Sequence, residues 1–340
     1  MKKYLGDKLV LSVFVILMLS IFLNSYCFAV EKFPIRPVTL ICPFNTGGGV
    51  DLTARTLQLF LREALDAPAV IVENKPGGNA LMGTVDFLNR KADGYTLFVI
   101  GSEGLVLNKL LMEDASYVME DFAPVIGVTS DPRTFFVQKD SPYNTVEDLI
   151  NEIRKRPGEI SLAFSAGAGQ WLEEWLKKKL NLPVNLIGFS GGGPATTALI
   201  GGHVNAYMDA GAARVPFKDN IKAIGVVYPE RTKNWPDAIP ILELGLFKKE
   251  GIDYVPGMEV ANNVTIWVHR NVREDYPERF YRLVSAFYEV AKNPEFKKRA
   301  IENGIDSTLV WLPPSEVDKI VASTVEIMKE DPELLKLMKQ

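Results

Sequence analysis

Short runs of β-branched and aromatic residues alternate along the chain with helix-length segments whose apolar positions recur every three to four residues. This is the pattern of strands joined by crossover helices in a parallel sheet, an α/β architecture. Four of the strands run directly into glycine. Val38 to Pro43 leads into Phe44-Asn45-Thr46-Gly47-Gly48-Gly49 and a helix from about Asp51, with Leu52, Leu57, Leu59, Phe60, Leu61 and Leu65 on its buried side. Tyr95 to Ile100 leads into Gly101-Ser102-Glu103-Gly104 and a short helix carrying Leu107, Leu110 and Leu111. Ile160 to Phe164 leads into Ser165-Ala166-Gly167-Ala168-Gly169 and a helix through Trp171, Leu172, Trp175 and Leu176. Val184 to Phe189 leads into Ser190-Gly191-Gly192-Gly193-Pro194 and a helix over about Ala195 to Ile200.

The first turn of a helix carries unpaired N–H groups and a partial positive charge, and glycine lets a ligand approach the backbone closely, so such junctions suit anions. In open α/β sheets they also lie at the carboxyl ends of strands, where ligand crevices form. Any one of them is equally a tight turn or a cap. Four of them, two in the first third of the chain and two in the middle third, set up a cleft lined from two sides. The candidate ligand-binding residues are therefore Phe44, Asn45, Thr46, Gly47, Gly48, Ser102, Ser165, Ala166, Gly167, Ser190 and Gly191. Asp209 joins them, because a carboxylate after Asn205-Ala206-Tyr207-Met208 is hard to explain as a cap. Asp51 is left open between a first-turn helix stabiliser and a ligand contact.

Turn signals at Ser130-Asp131-Pro132-Arg133 and Val255-Pro256-Gly257 bracket the segment holding the second pair of junctions. Beyond Pro256 the chain is helical again: Asn293-Pro294 caps a helix that stops at Gly304, Pro314-Ser315 starts another with Val317, Ile320, Val321, Val325 and Met328 on one face, and Pro332 starts a last short one. The expected organisation is a discontinuous first domain, 30–130 plus 256–340, and a second domain, 131–255, with the two crossings as a hinge.

The amino end differs from the rest. Lys2, Lys3 and Lys8 flank an apolar stretch, Leu9 to Leu23, of 15 residues, short of the roughly 20 a membrane-spanning helix needs. Cys27-Phe28-Ala29 follows, and the segment 1–29 reads as an export signal cut after Ala29, with an uncleaved anchor as the alternative and a lipid on Cys27 disfavoured by Asn24, Ser25 and Tyr26. The 38 Lys+Arg and 42 Asp+Glu of the whole chain give a net charge of -4. Removing residues 1–29 subtracts three Lys and one Asp, leaving 35 basic against 41 acidic side chains, a net of -6. An acidic chain has no excess of cations for a phosphate backbone, so nucleic acid is not an expected partner. Two Cys and two His are too few for a structural zinc site, and no cofactor or metal is expected. After cleavage Cys42 alone remains, inside an apolar strand, so no intrachain disulfide can form and stability rests on packing. The candidate loops hold no Lys or Arg, so anion binding is expected to rest on backbone dipoles.

Gly188-Phe189-Ser190-Gly191-Gly192 matches the G-x-S-x-G nucleophile elbow between strand and helix, and Asp209 and His269 follow in the order used by α/β-hydrolases. A secreted serine hydrolase is therefore the competing reading. Against it stand the glycine-rich run itself, which matches the short pattern easily, the place of His269 at a strand end, and the lack of an upstream His-Gly-Gly oxyanion motif. Gly47-Gly48-Gly49 lacks the Lys-Ser/Thr of a P-loop. His203 reads as a surface turn residue, and Lys177-Lys178-Lys179 as a solvated helix end favoured by the dipole.

The blocks Pro37 to Asp51 followed by Ala54-Arg55, Val70-Ile71-Val72-Glu73-Asn74-Lys75-Pro76-Gly77-Gly78 and Ala92-Asp93-Gly94-Tyr95-Thr96-Leu97 resemble the opening of the Bug receptors, the substrate-binding proteins of tripartite tricarboxylate transporters. The likeness continues through Asn108, Asp121-Phe122-Ala123-Pro124-Val125, Ser165-Ala166-Gly167, Gly191-Gly192-Gly193-Pro194-Ala195 and Gly201-Gly202-His203-Val204-Asn205-Ala206. It implies a two-lobed, type II-like periplasmic "Venus flytrap" that is no enzyme and acts as a monomer. It would close on a small organic acid, a mono-, di- or tricarboxylate or an amino acid, and deliver it to the membrane permease subunits of the transporter. The resemblance also implies that the carboxylate is held mainly by backbone N–H groups and water, on the loops matching Phe44 to Gly48, Ser165 to Gly167 and Ser190 to Gly191, with the position of Asp209 near the distal part of the ligand. A receptor feeding a sensor is a further alternative. Two departures touch the second-lobe wall: Phe189-Ser190 stands where the family usually has Tyr-Lys, and Gln170-Trp171 replaces a longer Ser/His-containing lead into the helix. Trp171, Phe189 or Tyr207 are thus candidates to shape the pocket, while Trp171 and Trp175, at i and i+4, are equally core residues.

Overall fold

The computed structural model describes residues 32–111, 117–165, 168–255 and 262–329, together with Pro332. The export signal, the turn at Pro256-Gly257 and the helix expected beyond Pro332 lie outside the described residues. The first half of the chain runs β1 (Val38–Cys42), α1 (Gly49–Leu65), β2 (Val70–Asn74), α2 (Leu81–Leu88), β3 (Thr96–Ile100), α3 (Ser102–Leu111) and β4 (Phe122–Asp131). It continues through β5 (Arg133–Gln138), α4 (Val146–Lys155), β6 (Ser161–Ser165), α5 (Ala168–Lys179), β7 (Asn185–Phe189), α6 (Gly192–Ile200), β8 (Ala206–Ala210), β9 (Ile221–Val227) and α7 (Gly245–Lys249). The last part is β10 (Asn262–His269), α8 (Arg270–Asp275), α9 (Pro277–Lys292), α10 (Pro294–Glu302), β11 (Leu309–Leu312) and α11 (Pro314–Lys329).

Two mixed sheets result, ordered β11-β4-β10-β3-β1-β2 and β7-β6-β8-β5-β9. The first draws strands from both ends of the chain. Each sheet keeps a parallel core, β2-β1-β3 in one and β7-β6-β8 in the other. The purely parallel expectation is corrected at β4, β5, β9, β10 and β11, which pair antiparallel. Only Pro132 separates β4 of the first sheet from β5 of the second, and proline, with fixed φ and no N–H, cannot continue a ladder.

Local chemistry explains the element ends. Thr145 and Asp148 form a reciprocal capping box at α4, and Asn293 accepts from the Glu295 and Phe296 amides ahead of Pro294 at α10. Gly304 ends that segment with φ +70°, a conformation glycine adopts without penalty. Helix α1 buries Leu57, Leu61 and Leu65, but Leu59, expected on the same side, is 67% exposed. At 100° per residue, position 59 is turned well away from 57 and 61.

The first sheet packs its core around Phe87, which stacks on Phe98 and Phe122 and lies 4.3 Å from the His269 ring. The second sheet has a core on each face. Tyr207, Phe136 and Trp235 pack on one; Phe135, Leu162 and Met208 on the other with Trp171, Leu172, Trp175 and Leu176 of α5. Val106 and Leu107 of α3 belong to that last cluster, so one apolar layer joins α3 to the core of the second sheet. Trp171, 3% exposed, is therefore a core residue. Phe87→Ala removes a fully buried ring from the centre of the first core and should cost about 3–5 kcal/mol. A urea unfolding midpoint unchanged from wild type would contradict this packing.

Candidate functional site

The loop after β1 is anchored by the residue left open above. Asp51, 2% exposed, accepts the Gly47 amide at 3.0 Å, Arg55 Nε at 3.0 Å and Asn74 Nδ2 at 2.9 Å. Asn74 Nδ2 also donates to the Phe44 carbonyl at 2.9 Å. Asp51 thus fixes the shape of residues 44–49 from beneath, and the Gly47 N–H is engaged within the loop.

Opposite this loop stands the amino end of α6. Asn45 Nδ2 donates to Ser190 Oγ at 2.6 Å. The glycines here are fitted to one another: a Cβ on Gly193 would lie 3.0 Å from the Thr46 carbonyl oxygen, and one on Gly191 would lie 3.6 Å from the Asn45 amide nitrogen. Behind α6, a Cβ on Gly192 would strike Arg214 Nη2 at 1.8 Å. Only a bare backbone leaves that guanidinium its place.

Between the two loops lies a cavity of about 50 Å³, lined by Phe44, Gly48, Gly49, Val50, Ile100, Gly101, Gly104, Arg133, Ser165, Gly191, Gly192, Asp209 and Ala210. The amino ends of α1 and α6 and the junction before α3 border it. Of the expected residues, Phe44, Gly48, Ser165, Gly191 and Asp209 come together on this wall; Asn45, Thr46, Gly47 and Ser190 stand outside the lining, in the contacts just described. Ala166 and Gly167 lie outside the described residues. Ser102 is fully buried, its N–H and hydroxyl both directed at Asn263 Oδ1, so it braces α3 against β10 while Gly101 and Gly104 face the cavity. Phe189 is half-buried on the Tyr207 side of the second sheet.

Asp209 is held by a network. Tyr207 and Asp209, two apart on β8, share one strand face. The Tyr207 hydroxyl donates to Asp209 Oδ2, Arg214 Nη2 reaches the same oxygen at 2.9 Å and the Tyr207 hydroxyl at 3.0 Å, and Arg133 Nη1 stands 3.8 Å from Asp209 Oδ1. Burial raises the Tyr207 phenol well above its ordinary range. Burial opposes the charge on Arg214, yet Tyr207 and Asp209 keep its pKa above the usual value. Asp131 accepts the Ala212 amide at 2.8 Å and is pushed up to about 7 by burial. Backbone dipoles are not all that the wall offers: Arg133, read from the sequence only as part of a turn, opens β5 and lines the cavity. A sequence signal existed, since a cation directly after a proline at an inter-domain crossing sits where both lobes meet.

The residues of the hydrolase reading are not brought together. Ser190 pairs with Asn45, Asp209 with Tyr207 and Arg214, and His269 Nε2 with the Phe87 carbonyl at 3.0 Å, in a buried site that lowers the imidazole pKa.

Two further buried carboxyls flank the site. Glu103 accepts the Asn263 amide through Oε1 at 3.4 Å, has no partner for Oε2 among the described residues, and is pushed up to about 7 by burial, which Arg133 only partly offsets. Glu173, 1% exposed, has neither oxygen hydrogen-bonded to a described residue and is raised well above its ordinary value by burial.

Two sheets joined by crossing strands, with glycine-rich helix starts facing each other across a cavity, define the class as a two-lobed binding protein. The chain belongs to the tripartite tricarboxylate transporter family of receptors, whose family model matches residues 53–329. It is 31% identical over 221 residues to protein BugT of Bordetella pertussis (strain Tohama I), covering 63% of this chain and 68% of that protein. Its fold is similar to that of the periplasmic binding protein BugD, with TM-score 0.76, 23% identity, and 89% and 98% of the two chains covered. R. palustris Rpa4515 with adipate is equally similar, at TM-score 0.76, 23% identity, and 89% and 98% coverage.

The burial of Glu103 has a measurable consequence. Its folded-state pKa of about 7 lies above the ordinary 4.5, so the folded state binds more protons than the unfolded between these values and stability falls as pH rises through that window. Glu103→Gln cannot ionise. Its stability relative to wild type should improve from pH 5 to pH 8, by up to about 3 kcal/mol; a difference independent of pH in urea titrations would refute the assignment.

Proposed function

We propose that this receptor is exported to the periplasm and captures a small organic carboxylate between its lobes, 30–130 plus 256–340 and 131–255, for delivery to the permease subunits of a tripartite tricarboxylate-type transporter. The observation that carries the reading is the convergence of helix amino ends, at Gly48-Gly49 and Gly191-Gly192, on one small cavity with Arg133 in its wall. Phe44 to Gly48, Ser165 to Gly167, Ser190 and Gly191 are the proposed ligand contacts, with Asp209 holding the second-lobe wall. Ser102 serves them from behind. That a structural relative carries adipate supports an acid of this size class.

The protein is read as a receptor without catalysis, since Ser190 has an amide nitrogen, not an imidazole, as its partner. A melting screen against mono-, di- and tricarboxylates and amino acids tests the reading. A ligand at about 100 times its Kd stabilises by roughly 2.7 kcal/mol, and no shift from any organic acid would overturn the proposal. Esterase activity that disappears in Ser190→Ala would restore the hydrolase.

A further inference from the structure

Arg133 is a half-buried cation without a settled partner. Its side chain is 10% exposed, it lines the cavity, and its one ion pair among the described residues, with Asp209 at 3.8 Å, is beyond hydrogen-bond length. No hydrogen bond from its guanidinium to a described residue is formed. A guanidinium carries five N–H donors in a planar fork, and donors removed from bulk water are costly unless matched. Asp209 cannot satisfy them: its Oδ2 is already committed to Tyr207 and Arg214. Glu103 and Glu173 feel the Arg133 charge, yet neither reaches ion-pair distance. The free donors border the cavity.

We propose that Arg133 forks onto the carboxylate of the bound ligand and is the residue by which this receptor distinguishes an acid from its uncharged isosteres. This rests on the carboxylate-receptor reading above and deepens it: helix amino ends offer partial charge and single N–H donors, whereas a guanidinium offers a full charge and two parallel donors that match the paired oxygens of a carboxylate. Charge balance selects the same class. Arg133 in the cavity wall and Arg214 behind α6 share the carboxylate of Asp209, and burial draws Asp131, Glu103 and Glu173 toward their neutral forms, so the site keeps an excess cation for one carboxylate.

The test is calorimetric titration of the full mature receptor with succinate, adipate and lactate, each beside its fully amidated, carboxylate-free analogue: succinamide, adipamide and lactamide. Wild type should bind at least one acid tenfold or more tighter than its amide. In Arg133→Met the acid should weaken at least thirtyfold and the amide less than threefold, so that the ratio collapses. Arg133→Lys keeps a charge near Asp209 and covers the case in which Arg133→Met does not fold; its acid-to-amide ratio should fall at least fivefold. A structural role for Arg133 would lower melting temperature while leaving that ratio untouched, and a wild-type ratio in either variant overturns the proposal. If acids bind wild type with normal ratios but the variants keep them, only the role of Arg133 fails. If no acid binds wild type, the carboxylate reading fails and takes this inference with it.

Discussion

Asp209 is the point on which the cleft depends. One buried carboxylate accepts from Tyr207 and Arg214 and faces Arg133, so it ties β8 to the turn of 3₁₀ helix at Ala212–Phe217 and to the start of β5. Removing one partner from a buried pair of this kind costs on the order of 3–5 kcal/mol, because the other charge is stranded away from water. Its geometry also dictates the neighbouring sequence. Arg214 lies against the first turn of α6 only because position 192 has no side chain. The guanidinium therefore occupies the base of the helix whose amino end faces the cavity, and the anion-attracting ends of the site are braced by a cation behind them.

The two sides of the cleft are built differently. The first-lobe loop is fixed from below by Asp51, Asn74 and Arg55, a local lattice of hydrogen bonds. The second-lobe wall is fixed by long-range charge. Where they meet, contact is backbone against backbone, with Asn45 and Ser190 as the bridging side chains. This polar rim lies beside the apolar layer that Val106 and Leu107 share with the second sheet's core, so the mouth of the cleft is held by few contacts while its base is held by packing.

Much of this is legible in the sequence. The four strand-to-glycine junctions fall where their composition put them, because the signal is local: a β-rich run, a Gly-Ser loop and an amphipathic repeat are each set within about fifteen residues. The antiparallel strands were not legible, since β4 pairs with β10 more than a hundred residues away, and a run such as Phe122 to Asp131 does not announce its partner or direction. The site divided along the same line. The glycine loops that line the cavity are legible through local composition, whereas Arg133 is not, because the crossing at Pro132 is what brings it to the cavity wall. Ser102 shows the opposite error. Its junction was identified correctly, but whether a loop serine faces solvent or Asn263 is settled by the strand lying across it.

Cys42 sits two residues before the first cleft loop, 0% exposed, with its thiol pushed up to about 12 by burial. The thiolate is the reacting species, so this sulfur is chemically silent at physiological pH. Among the described residues it is the single cysteine, and a fold with a mute thiol offers a clean background for reporters. Cysteines engineered on the rims of the two lobes would take spectroscopic labels alone, so the distance between the lobes could be followed as the cleft fills and empties.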